Sequence, residues 1–125
     1  MPVDVETFVT SGLNFVKLSG SLTSGQSLSA AEARTKSIIE SGAKKLVLDI
    51  SAVTYADSSG LGALVQIYGI AQQAGCVLRL AGANEKLKTL LHVTRLDTIF
   101  SLDADAAASL AHLLSADSAA SSAKQ

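Results

Sequence analysis

The chain has 125 residues, 48% of them hydrophobic but only 4% aromatic and none Trp, which suits one aliphatic core and leaves no second domain. Its net charge is −1 with the signs interspersed, so it has neither the basic footprint of a nucleic-acid binder nor a polybasic membrane anchor. The lone Cys76 excludes an internal disulfide and reads as a small core residue, and no His, Cys or carboxylate spacing suits a metal.

Met1–Glu6 lacks a basic n-region and an apolar h-region, so the expectation is no export and a cytoplasmic location. Phe8-Val9-Thr10 and Leu13 to Leu18 alternate around Ser11-Gly12, which predicts two short strands joined by a tight turn. Gly20 to Gly25 is polar and glycine-containing, and reads as a loop. From Ser27 to Ser41 the spacing turns helical. Leu28, Ala31, Thr35, Ile38 and Ile39 share a face, Ser29 and Glu32 have capping-box spacing, and Gly42 suits the stop.

Lys45 to Ile50 is an apolar run that predicts a strand buried on both faces, followed by a connector from Ser51 to Ala56. A helix then opens at Asp57-Ser58-Ser59-Gly60-Leu61-Gly62, and no residue from Ser58 to Leu78 is charged. Leu61, Leu64, Val65 and Tyr68 form its expected inward stripe. Gln66, Gln72, Gln73 and the glycines argue against a membrane span. Gly75 closes this helix, Val77 to Ala81 is a strand, and Asn84 can cap a helix facing inward through Leu87, Leu90 and Leu91. Asp103 to Leu114 predicts a last helix with Leu102, Ala106, Leu110, Leu113 and Leu114 buried. Ser115 to Gln125 reads as a disordered Ser/Ala-rich tail.

This order predicts an α/β domain over residues 1–114, a small mixed sheet of four or five strands with about four helices. The candidate site is Ser58-Ser59. At a helix N-terminus, free N–H groups and the positive dipole end favour an anion, including a phosphate on serine. The other reading is an ordinary N-cap at Asp57 or Ser58, with Gly60 and Gly62 serving packing. A second candidate surface is Ala63, Ile67, Ile70 and Ala74, opposite the inward stripe. It either meets a partner or lies under the C-terminal helix.

No enzyme site is visible. Gly60-Leu61-Gly62 lacks the third glycine of a dinucleotide loop, no Walker lysine follows a glycine-rich loop, and Ser58 is in no nucleophile elbow. His92 and His112 both fall in expected helices and read as surface or half-buried residues.

From Val9 to Leu114 the chain resembles the STAS domain family of bacterial anti-sigma factor antagonists and their relatives. The resemblance rests on Leu46 to Ser51, the hallmark Asp57-Ser58-Ser59-Gly60-Leu61-Gly62, Leu78 to Gly82, and Leu90 to Phe100. It implies a sheet covered on one side by helices, with no catalysis and no cofactor. It also implies phosphorylation of Ser58 by a partner that is both anti-sigma factor and serine kinase, with sigma factor freed when the unmodified protein binds.

Thr23, Asp57, Ser58, Ser59, Gly60, Leu61, Gly62, Ala63, Ile67 and Ile70 are the expected partner-binding residues, with no nucleic acid and no direct membrane contact, and a homodimer left open. Three positions depart from the family pattern: Ser21 and Thr23 stand where acids are usual, and Arg95 where a glycine is common. The alternative is a STAS adaptor that is not phosphorylated, in an ABC-type lipid transporter or a stress-signalling scaffold.

Overall fold

The computed structural model describes residues 3–10 and 12–123, with side chains described as far as Leu114. The element order is β1 (Asp4–Thr10), β2 (Leu13–Leu22), α1 (Gln26–Glu40), β3 (Lys45–Ala56), α2 (Ser58–Ala74), β4 (Val77–Ala81), α3 (Glu85–Val93), a 3-10 turn (Leu96–Thr98), β5 (Ser101–Asp103) and α4 (Ala106–Ala123). The expected mixed sheet and four helices are present.

The five strands lie in chain order, β1-β2-β3-β4-β5. β1 is antiparallel to β2, with Phe8 opposite Phe15 and their rings stacked at 4.9 Å. The remaining pairings are parallel. When each crossover advances one strand in the same direction, the right-handed rule puts every crossover helix on one face. α1, α2 and α3 share that face, over a core that includes Val16, Leu18, Leu46, Leu48, Ile50, Leu78 and Leu80.

The side-chain alternation of the strands leaves a second set, Leu13, Phe15, Val47 and Ala81, on the opposite face, where Leu113 of α4 covers them. The one-sided covering implied by the family resemblance is therefore corrected. A strand such as Leu46-Val47-Leu48 is apolar on both faces and needs cover on both.

Several expected boundaries move. β2 runs on through Gly20 to Leu22, where a loop is expected from the sequence. β3 continues through Ser51–Ala56, which the sequence suggested was a connector, because two irregularities in its register with β2 break the alternation there. Ser101–Asp103 forms a short edge strand, so Leu102 sits 37% exposed at the sheet edge instead of inside the last helix. Leu114 is also exposed. α1 starts from Gly25 with no side-chain cap, so the Ser29/Glu32 capping box does not form. The helical backbone of α4 continues beyond Leu114 to Ala123. The side chains of the expected tail, and residues 124–125, lie outside the described residues.

Candidate functional site at the start of α2

The site is built on a ribbon that outruns the sheet. β3 pairs with β4 only as far as Asp49 opposite Ala81, whereas its pairing with β2 continues to Leu22 opposite Ala56. Thr54 Oγ1 donates to the Gly20 carbonyl at 3.3 Å and lies 3.4 Å from Ser21 Oγ, which ties the two strands across their irregular register. Asn84 ties the ribbon to the next loop. Its Nδ2 donates to the Val53 carbonyl at 3.1 Å, and its Oδ1 caps α3 by accepting from Leu87 N at 2.8 Å. Tyr55 is exposed on the ribbon, with the Lys86 ammonium 6.0 Å from its ring centre.

At the ribbon tip Asp57 organises the entry into α2. Its Oδ1 accepts from Gly60 N at 2.9 Å as an N-cap, and its Oδ2 accepts from Ser24 N at 3.4 Å. Its own N–H donates to the Leu22 carbonyl at 3.1 Å. One carboxylate thus joins the loop after β2 to the first turn of α2. The N-cap that the sequence placed at Asp57 or Ser58 is Asp57.

The two glycines separate. Gly60 is buried, and a Cβ there would overlap the Leu22 carbonyl oxygen and lie 2.7 Å from the Leu22 Cβ, so packing requires the glycine. Gly62 is exposed, and a Cβ there would meet nothing within 4 Å. A helix-interior glycine costs roughly 1 kcal/mol relative to alanine, so the fold gains nothing from this one.

Ser58 and Ser59, the first two residues of α2, are exposed, and neither hydroxyl is hydrogen-bonded among the described residues. They precede the first intrahelical bond, from Leu61 N to the Asp57 carbonyl. Their N–H groups thus lie at the positive end of the helix dipole, worth roughly half an elementary charge. Ser21 and the half-buried Thr23 flank Leu22 beside this turn and bring no carboxylate to it.

The structure gathers Thr23, Asp57, Ser58, Ser59, Gly60, Leu61 and Gly62 at one end of the sheet. It does not do the same for the second expected surface. Ala63 is 6% exposed and Ile67 2%, both in the core, and Ile70 is half-buried against that core. Ile67 is therefore corrected from contact residue to core, and Ala63 keeps only a small surface, in the groove between α1 and α2. Gly60, Ala63, Leu64, Ile67 and Ala71 form the buried arc, about a quarter turn from the expected stripe. Val65 of that stripe is exposed instead.

A polar cluster that sequence spacing could not reveal lies on the opposite face. Asp103 on β5 has no exposed side-chain surface. Arg79 grips it through Nε at 2.6 Å and Nη2 at 3.0 Å, Ser109 Oγ donates at 2.5 Å, and His112 Nδ1 lies 2.6 Å away. Burial alone would push this carboxyl up. The bonds from Arg79, Ser109 and His112, together with the Arg79 charge, outweigh burial and hold it down at about 2.

The cluster pins α4 to the sheet, and no spacing in the chain announces it, since its members come from β4, β5 and α4. Cys76 is buried, and burial raises its thiol pKa despite the nearby Lys44, so it is core as expected. Among the described residues, no helix is long and apolar enough to cross a membrane.

The STAS domain family model matches residues 4–109. Among solved structures, the chain is similar to an anti-sigma factor antagonist from Mycobacterium paratuberculosis, at 22% identity and a TM-score of 0.76, covering 87% of this chain and 92% of that one. It is similar to the Bacillus cell fate determinant SpoIIAA in the phosphorylated form, at 17% identity and a TM-score of 0.68, covering 89% and 98%. The SulP transporter STAS domain from Vibrio cholerae also aligns, at 17% identity and a TM-score of 0.70, covering 90% and 88%. At these identities the likenesses show a shared fold.

Proposed function

The chain belongs to the STAS domain family, and from that premise we propose that it is an anti-sigma factor antagonist whose docking is switched off by phosphorylation of Ser58. One observation carries the reading: an exposed, unbonded serine hydroxyl at the first position of a helix without charge in its first or last turn, held in place by an aspartate N-cap. In this reading the partner is both anti-sigma factor and serine kinase, the kinase brings the ATP, and this chain is a cytoplasmic binding module that catalyses nothing.

The physics of the switch is electrostatic. A phosphate on Ser58 adds about −1.5 to −2 charges. The helix dipole offsets part of this within the free domain, as for any anion at a helix N-terminus. In a docked complex, the same charge next to Asp57 would be removed from water against a helix with no basic residue of its own. Burying an unpaired charge costs several kcal/mol, far more than a serine hydroxyl contributes, so the complex separates.

The test is to recover the protein from its native cells in several growth states and map phosphate and bound proteins by mass spectrometry. The reading expects phosphate at Ser58 in one state and a bound anti-sigma factor in another. Phosphate that maps elsewhere, or never occurs, defeats it.

Ser21 and Thr23 favour a second reading, an adaptor that is not phosphorylated, because the loop beside Ser58 offers a kinase no carboxylate. Recovery with transporter or scaffold components, and Ser58 unmodified in every state, is the outcome it expects.

A further inference from the structure

A groove of about 390 Å3 runs between α1 and α2, beginning beside Ser59. Its floor is Leu28 and Ala63, both buried, and its α2 wall is Ser59, Gly62 and Gln66. Glu32, on the α1 wall, is the one charged side chain among the described residues that line it. Glu32 is half-buried and has no ion-pair partner among the described residues. It stands six residues into α1, about 9 Å along the helix from its start, which takes it away from the positive end of that dipole.

Gly62 is what leaves the α2 wall open. The fold does not need a glycine there, in contrast to Gly60, since a Cβ would meet nothing. From the apolar floor, the open wall and a carboxylate that does not pair even with Lys36 four residues on, we infer that the groove seats a basic side chain, arginine or lysine, of the protein that docks on α2. Its alkyl stem lies over Leu28 and Ala63 and its cationic head reaches Glu32. Only a long side chain with an apolar stem and a charged tip matches both features, and an acidic one is repelled. That this side chain belongs to an anti-sigma factor rests on the function proposed above. The seat itself rests on the groove, Gly62 and Glu32.

The experiment is an NMR titration of the full chain with N-acetylarginine amide and, as a control of the same shape without charge, N-acetylcitrulline amide. The arginine probe is expected to shift the amides of Leu28, Ser59, Gly62 and Gln66, and citrulline to leave them in place. Glu32→Gln and Gly62→Leu are both expected to abolish the response, with Gly62→Leu melting no lower than the unsubstituted protein. No arginine response at the groove, an equal response to citrulline, or a response that survives Glu32→Gln overturns the inference.

A second readout uses the anti-sigma factor identified from native cells. Glu32→Lys is expected to weaken its binding at least tenfold, with rescue by one Arg→Glu or Lys→Glu change on the partner. Unchanged binding of Glu32→Lys, while Ser58→Asp still blocks the complex, overturns the inference and leaves the phosphorylation switch intact. An arginine response in a protein that binds no anti-sigma factor supports the seat and defeats the proposed function.

Discussion

The backbone of Gly60 faces the carbonyl of Leu22 with no room for a side chain between them. The first turn of α2 and the last residue of β2 therefore share one contact surface, and Asp57 bonds both through Gly60 N and the Leu22 carbonyl. Gly60→Ala forces one of the two backbones to move and is expected to cost at least about 2 kcal/mol. Gly62→Ala, one turn face away, is expected to be neutral or to stabilise by up to roughly 1 kcal/mol. Urea unfolding of the two variants measures the contrast, and equal effects would contradict this division of roles.

Ile67 is 2% exposed in the core beneath α1 and α2. Ile67→Glu places a carboxylate there without a partner, at a cost of several kcal/mol against a domain stability of about 5–15 kcal/mol. The variant is expected to lose cooperative thermal unfolding by circular dichroism. A folded variant with impaired docking would instead restore this side of α2 as a surface.

Asp103 links stability to pH. Its carboxyl is held at about 2 in the fold, below the ordinary 3.8, so its contribution is present above pH 4 and lost as pH falls toward 2. The difference corresponds to about 2 kcal/mol. Asp103→Asn is expected to be less stable at neutral pH and to lack this component of the acid slope. Unfolding free energies at several pH values between 2 and 5 measure it, and parallel slopes would show that the buried cluster adds nothing.

Arg95 follows the C-terminal cap of α3 with φ 63, the one non-glycine residue with positive φ among the described residues. A side chain in this left-handed region costs about 1 kcal/mol. Arg95→Gly is expected to raise stability by roughly 0.5–1 kcal/mol and to leave Ser58 chemistry unchanged. A drop in melting temperature would mean that the arginine makes a contact that outweighs its backbone strain.

The hairpin, the parallel strands, an N-cap at Asp57 or Ser58 and the Asn84 cap are legible in the sequence, because each rests on local alternation or on one capping side chain. The sequence could not orient α2. Spacing favours Leu61, Leu64, Val65 and Tyr68 as the inward face, yet Ala63 and Ile67 also carry apolar side chains, and only the sheet and α1 together select the arc through Gly60, Leu64 and Ala71. β5 is not predicted because three residues carry too little pattern, and Asp103 reads as a helix start. The role of α4 was hidden for a further reason: Arg79, Asp103, Ser109 and His112 meet only when β4, β5 and α4 are assembled.

Charge on Ser58 controls docking in the proposed switch, and the affinities of the charged and uncharged forms read it out. Ser58→Ala, Ser58→Asp and the unsubstituted protein, with and without phosphate, are to be titrated against the anti-sigma factor from the same cells. Ser58→Ala is expected to bind like the unmodified protein and to resist labelling by the kinase, while Ser58→Asp binds several-fold weaker or worse and phosphorylated Ser58 weaker still. Equal affinity of the phosphorylated and unmodified forms would contradict the switch.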